Sequence, residues 1–432
     1  MSSERKFGFL DHFALWASLG ASLYLMPFGA LLVPALSIEQ AILAAALAGV
    51  IGGLLIAAIA GIAASSGRST VELLSAPFGE EGRWPVGVLL MARHLLFAVF
   101  ALVLITDSAE LISERSLGTG LRPLWVAVFG AAALGLALAG PGRVSTAMKR
   151  AGLWLVLLVA IAVTASAYAE FEIPSYLRRP SVGGWPSFWQ ATDIMLIFPL
   201  LWLPIVADFA RFGGSSRSAA QGSFAGVFVA SVWFGALGIL YLPATESGDI
   251  PGFLVGMQLG LGALALLFLL QIDEVYVGAY ASVPAAESLG AGARSRFAPA
   301  ALLVAAAPVA MLANVSDLEG YLLLVAALFV PAFAIVLARA LRPDRGSALV
   351  AAAAWCCGFV LYQWITPAEV GWWQDTISTP FDGLGLPFAV SNDVTWLGAA
   401  VPSFALAFCI DLVVPALARL FSARPRVSQP AG

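Results

Sequence analysis

Charge is scarce in this sequence. Of 432 residues only 11% are Asp, Glu, Lys or Arg, against about a quarter in an ordinary soluble domain. A globular fold with so little charge would expose large apolar patches and aggregate. The scarcity therefore excludes a soluble enzyme, a disordered regulator and a nucleic-acid binder. Histidine is limited to His12 and His94. There is no His-Glu-x-x-His motif and no Ser/His or paired-Asp constellation at matching depth, which leaves little for a metal centre or an intramembrane enzyme. The three cysteines, Cys356, Cys357 and Cys409, sit in apolar runs without metal-ligand spacing, and read as buried small hydrophobes rather than a redox pair.

What is present is apolar: 60% of the residues, with a mean hydropathy of +0.92. This is the composition of an all-α integral membrane protein. A span needs about 20 apolar residues, and twelve stretches qualify: 13–34, 38–64, 86–112, 123–139, 150–168, 187–210, 219–243, 252–286, 298–315, 319–340, 346–364 and 396–418. The eighth is long enough to be tilted or broken. The polar, basic start runs into the first span without a small-residue cleavage site, so that span reads as retained rather than as a removed signal peptide. The net charge of −4 says less than where the charges lie. With the amino terminus inside, seventeen of the 22 Lys and Arg residues fall on cytoplasmic segments, and only Arg115, Arg122, Arg178 and Arg179 fall outside. Lys and Arg are absent between Arg345 and Arg419. Both termini are expected in the cytoplasm and the chain in the cell (inner or plasma) membrane. The long outer loop, about 365–395, carries Trp372, Trp373, Asp375, Asp382 and Asp393. It reads as an interfacial aromatic anchor on a solvated acidic loop rather than a binding lid.

Two spans carry proline near their middles: Pro27 in the first, Pro199 and Pro204 in the sixth. A mid-span proline removes a backbone donor and clashes one turn back, and broken helices five apart are the spacing of two inverted repeats with substrate between them. Asp193, Asp208, Asp273, Glu274, Glu287, Asp411 and Arg93 lie within spans, where a charge is expensive and faces a pathway or a partner. Asp208 and Arg211, three apart, read as a cytoplasmic gate or a structural pair. Of adjacent Asp273 and Glu274, at least one must be protonated, paired with Arg93 or facing water. His94 is a packing residue, or a relay or substrate contact beside the buried arginine. Gly49 and Gly53 read as helix-packing contacts.

The sixth span, from Phe198-Pro199 through Trp202 to Asp208-Phe209-Ala210-Arg211-Phe212, resembles the Trp…Asp-aromatic-x-Arg-aromatic segment of nucleobase–cation symporters, the purine–cytosine permease family. It is most similar to the hydroxymethylpyrimidine/cytosine permease branch. Gly67-Arg68-Ser69 and Phe78-Gly79 to Gly82 resemble that family's link between helices 2 and 3, and Leu15-Trp16 through Gly29 to Pro34 resembles its first span. The resemblance implies a LeuT-like five-plus-five inverted repeat with two extra C-terminal helices. The repeats would be 13–168 and 187–340, followed by trailing helices at 346–418 and a cytoplasmic tail at 419–432. It also implies a cation-coupled secondary transporter importing a planar nitrogen heterocycle such as cytosine, a purine or hydroxymethylpyrimidine. By position, the substrate would lie among Ser22, Tyr24, Arg93, Phe97, Phe198, Trp202 and Glu274. A flat heterocycle does want aromatic faces and a few matching polar groups.

Two departures bear on this expectation. Where relatives present a helix-3 tryptophan, the best match is Phe97. Positions 252–281 hold no Ser or Thr, and Leu269 and Leu270 stand where sodium-coupled members carry hydroxyls. Proton coupling through Asp273 or Glu274 is therefore expected in preference to Na⁺, with no other cofactor. A LeuT-like amino-acid or amine permease and a transport-incompetent sensor remain open.

Overall fold

The computed structural model describes residues 6–170, 180–241, 262–342, 346–386, 388–389 and 397–422. Arg5, Arg178, Arg179, Arg345, Arg424, Arg426 and Asp393 lie outside them, as do the opening 252–261 of the eighth span and the tail from 423 onward. The described residues are helical, with one isolated backbone bridge between Phe7 and Gly213. Among them, ten helices are long and apolar enough to cross a bilayer. The chain is a multi-pass membrane protein.

The first span is two helices, α1 (Phe9–Gly20) and α2 (Leu25–Ala30). The break falls at residues 21–24 rather than at Pro27. Pro27 is the third residue of α2, among the first four positions of a helix, whose N–H groups have no intrahelical partner, so it costs that helix nothing. Side chains satisfy the donors freed at the break instead. The Tyr24 N–H donates to Ser22 Oγ at 3.1 Å and the Leu23 N–H donates to Gln271 Oε1 at 3.1 Å.

Next come α3 (Ile38–Ser66), the short α4 (Thr70–Ser75), α5 (Arg83–Leu117) and α6 (Arg122–Ala139). The fifth span is longer than 150–168: α7 (Pro141–Ala147) passes through one π turn, Met148–Gly152, into α8 (Leu153–Glu170). The sixth, α9 (Phe188–Ala210), runs unbroken through Pro199 and Pro204, contrary to the expected interruption. Proline is tolerated inside a membrane helix when neighbours support it. Here α9 is almost wholly buried, Pro199 sits against Gly52 of α3, and Arg93 donates to the Leu201 carbonyl beside Pro204.

The chain continues through α10 (Ser216–Tyr241), α11 (Gly262–Ser288), α12 (Ala298–Ala310), α13 (Glu319–Ala340), α14 (Ala348–Ile365), the loop helix α15 (Gly371–Gly383) and α16 (Ala400–Ser422). The twelve expected spans thus become ten long helices, the broken first span and the 13-residue α12, too short alone to cross about 30 Å of hydrocarbon. The expected solvated loop contains a helix. Its Trp373 indole donates to Gln363 Oε1 at 2.9 Å and packs edge-on against Phe359.

The helices pack as groups. α1, α2, α3, α9 and α10 lie mainly against one another, α5, α6, α11 and α12 form a second group, and α13, α14 and α16 a third. The first group pairs spans one and two with six and seven, and the second pairs three and four with eight and nine, each five spans apart. In the first group a Cβ at Gly49 would come within 3.1 Å of Val232, and one at Gly53 within 3.0 Å of Phe224, so small residues set the approach of α3 to α10. Between the first two groups the seam is thin, made chiefly by α1 and α9 against α11. Cys356, Cys357 and Cys409 lie on the surface rather than buried. Lipid tails are as apolar as a core, so an apolar run does not distinguish the two.

Arg122 holds the second group together at one end. It pairs with Asp107 at 2.7 Å and Glu110 at 2.9 Å on α5, and donates to the carbonyls of Ala310 at 2.9 Å and Ala313 at 2.7 Å. Removing it strands two half-buried carboxylates and two carbonyls. Arg122→Ala should cost about 3 kcal/mol, read as a lowered melting temperature of the detergent-purified protein.

Candidate functional site

The charges inside the spans differ in what they are paired with. Asp193 receives the Ala400 N–H at 3.1 Å on each oxygen and so caps the start of α16. Asp411 pairs with Arg339 at 3.1 Å, and Glu287 accepts from the Ser295 hydroxyl at 3.2 Å. These three have structural explanations. Arg93, Asp273 and Glu274 keep buried polar atoms without a hydrogen-bond partner, and an unsatisfied buried group costs about 1–3 kcal/mol. All three lie at the seam between the first two helix groups.

The break in the first span presents Ser22 and Tyr24 there, with the Ser22 hydroxyl beside the Glu274 carboxyl. Tyr24 meets Phe100 edge-on at 4.4 Å between ring centroids, and Phe100 lies 6.2 Å from Phe97. Phe97 meets Trp202 at 4.9 Å, and Trp202 meets Phe198 at 6.0 Å. The Arg93 guanidinium stands 4.4 Å over the Phe97 ring, within cation–π range, and donates to the Leu201 carbonyl at 2.5 Å. It does not pair with Asp273 or Glu274. Its neighbour His94 approaches it through Nδ1 at 3.3 Å. All seven residues expected at the substrate site are buried and joined in one cluster of contacts.

Two further residues belong to that cluster. Phe100 links Tyr24 to Phe97. Gln271 stands three residues before Glu274, hence on the same helix face. Its Oε1 supports the break in the first span, while Nε2 has no partner. A polar amide mid-span was the signal, overshadowed by the adjacent carboxylates. Around the rings, then, three donors (Arg93 Nε, Trp202 Nε1 and Gln271 Nε2) and one acceptor (Glu274 Oε1) lack partners.

Asp273 points elsewhere, beside Ser18 on α1. Asp208 and Arg211 come together without an ion pair: Asp208 Oδ1 accepts the Thr70 N–H at 3.0 Å, and the Arg211 guanidinium lies 5.0 Å over Phe212. Nearby on α4, burial acts to raise the Glu72 carboxyl, but hydrogen bonds from the Ser69 N–H and hydroxyl outweigh it and hold its pKa below the ordinary value, helped by Arg211 and Arg83. The pair thus belongs to a cluster that fastens α4 to the end of α9. A larger crevice of about 680 Å³ lies apart from the aromatic cluster, between Arg68, Arg83 and the Arg339–Arg342 end of α13.

Solved structures share this architecture. The chain aligns with Mhp1, a nucleobase-cation-symport-1 family transporter, in a closed conformation with bromovinylhydantoin bound, at a TM-score of 0.72 and 15% identity, over 98% of this chain and 94% of that one. The fold is shared with Mhp1. Against the inward-facing conformation of Mhp1 the TM-score is 0.66, at 16% identity over 98% and 93% of the two chains. A manganese transporter of Eremococcus coleocola, in complex with an aromatic bis-isothiourea compound, aligns at 0.51 and 11% identity over 95% and 94%. No family model and no curated protein matches the sequence. The Mhp1 fold thus spans essentially the whole chain.

Proposed function

We propose that this protein is a cation-coupled secondary transporter that imports a planar nitrogen heterocycle across the cell membrane, with both termini in the cytoplasm. One observation carries the reading. A buried cluster of Phe97, Phe198 and Trp202 lies beside the break in the first span, edged by partnerless donors and acceptors. Fold alone does not decide function, and the shared architecture also serves a manganese transporter. A hard divalent cation is held by carboxylate, carbonyl and water oxygens, whereas this cluster offers ring faces, a guanidinium, an indole N–H, an amide and one glutamate. That set suits a lactam or ureide edge, whose carbonyls would accept from Trp202 and Gln271 and whose ring N–H would donate to Glu274.

The two helix groups, meeting along a thin seam, are suited to move against each other so that the site opens to one face and then the other. The repeats at 13–168 and 187–340 would form corresponding halves of both groups. Proton coupling through the Asp273–Glu274 pair fits the absence of Ser and Thr from 252–281, since a Na⁺ site needs several oxygen ligands. The Asp208–Arg211 cluster would close the cytoplasmic end.

The test is uptake of radiolabelled cytosine into proteoliposomes under an imposed proton gradient, with unlabelled hydroxymethylpyrimidine, hypoxanthine, allantoin and leucine as competitors. Gradient-driven uptake blocked by heterocycles and not by leucine is expected. Block by leucine would favour an amino-acid permease. Heterocycle binding without accumulation would favour a sensor. Sodium dependence at fixed pH and membrane potential would overturn proton coupling.

A further inference from the structure

Adjacent residues on a helix point about 100° apart, so Asp273 and Glu274 cannot serve one site equally. Glu274 is beside Ser22 at the break, whereas Asp273 is beside Ser18, one turn nearer the start of α1. The Asp273 carboxyl is buried, 4% exposed, and apart from the Ser18 hydroxyl beside it neither oxygen has a side-chain hydrogen-bond partner. It lines a cavity of about 20 Å³ with Phe7, Leu15, Ser145, Phe209 and Tyr276, whose hydroxyl is likewise without a partner. That volume holds about one water molecule.

Ser145 is both a wall of this cavity and part of what closes it. Its hydroxyl donates to Asp11 Oδ1 at 2.5 Å, and the same oxygen pairs with Lys149 Nζ at 2.7 Å. The Gly8 N–H holds Oδ2 at 2.8 Å. The Lys149 side chain is 22% exposed, so the contact reaches the surface. It joins α1 of the first helix group to the fifth span, two segments that must part for the cavity to open. The other ionisable groups near this route are Glu274, Tyr276 and Tyr280 on α11, Tyr280 packing against Phe209 and Tyr276, and His12 on α1, whose ring packs against Phe7. Asp208, next to Phe209 on α9, is turned to Thr70.

We propose that Asp273 is the proton carrier, that it exchanges with the cytoplasm through this cavity under the control of the Asp11–Ser145–Lys149 contact, and that Glu274 is left to the substrate. The proposal rests on the proton-coupled reading. In the loaded state a proton is bonded to one Asp273 oxygen. When the Asp11–Lys149 contact opens, that O–H bond breaks, the proton passes to water entering the cavity and leaves as hydronium, and Asp273 remains as the carboxylate.

The experiment compares wild type and Asp273→Asn in proteoliposomes with radiolabelled cytosine. The variant should lose accumulation driven by a proton gradient, its internal-to-external ratio falling to about one, yet still exchange internal for external cytosine. In a second arm the three native cysteines are replaced by alanine and Ser145→Cys is introduced. An impermeant methanethiosulfonate applied from the amino-terminal face should label it several-fold faster when Lys149→Ala is added. A wild type driven by sodium and not by protons overturns the coupling reading, and this proposal with it. A proton-driven wild type whose Asp273→Asn variant still accumulates overturns the proposal alone. So does labelling of Ser145→Cys that ignores Lys149→Ala, a result obtainable even if Asp273→Asn does not fold.

Discussion

Replacing Glu274 by glutamine is expected to cut cytosine uptake about 100-fold at substrate concentrations below KM, with little loss of melting temperature. Glutamine keeps the size of the side chain and a carbonyl oxygen, so packing against Ser22 survives. It loses a charge-assisted acceptor, worth about 1.5–3 kcal/mol, and puts an amide donor where the proposed ring N–H must itself donate. At 1.4 kcal/mol per decade the upper end of that range is the expected hundredfold. Trp373→Ala is the control. Trp373 is anchored by Gln363 and Phe359 on α14, away from the aromatic cluster, and its loss should change uptake by less than twofold. Initial rates at several cytosine concentrations, with melting temperatures of both variants, make the comparison. Equal losses from the two substitutions would mean that Glu274 acts through stability and that the site lies elsewhere.

How much of this could be read from the chain differs from residue to residue. The helical membrane class and most span positions follow from composition and run length, because a bilayer dictates both. The break in the first span was legible as a region but not as a residue. Proline was the local signal, and Pro27 falls where a helix start tolerates it. What supports the break is the Leu23–Gln271 hydrogen bond, between residues 248 apart in sequence, and no local pattern announces it. The sixth span errs the other way: two prolines predict an interruption, and the neighbouring Gly52 and Arg93 accommodate it. The seven residues expected at the substrate site come together because aromatic, ionic and hydroxyl groups deep in apolar spans have few reasons to be there. Asp273 and Glu274 looked like one feature because they are neighbours in sequence. Their separate surroundings appear only once α11 is packed between Ser18 and Ser22 on one side and the fifth span on the other.

Gln271 is the residue that sequence reasoning passed over, and its removal should be costly in two distinguishable ways. Gln271→Leu is expected to lower cytosine affinity by about 100-fold and also to lower the melting temperature. The amide has two jobs on opposite ends of one planar group. Oε1 holds the Leu23 N–H in the break. A leucine there leaves that donor buried without a partner, at about 1–3 kcal/mol, in surroundings where no bulk water can replace it. The neighbouring Ser22 and Tyr24 would then shift, taking part of the site with them. Nε2, partnerless in the structure, is the proposed donor to a substrate carbonyl, and a site built to hydrogen-bond its substrate loses much when one side of the bond is missing. Gln271→Glu separates the two. It retains an oxygen for the Leu23 N–H and removes the amide donor, so most of the melting temperature should return while the affinity stays about tenfold or more below wild type. Should Gln271→Glu bind cytosine as tightly as wild type, the amide nitrogen makes no contact with the substrate, and Gln271 serves only to hold the first span open at residues 21–24.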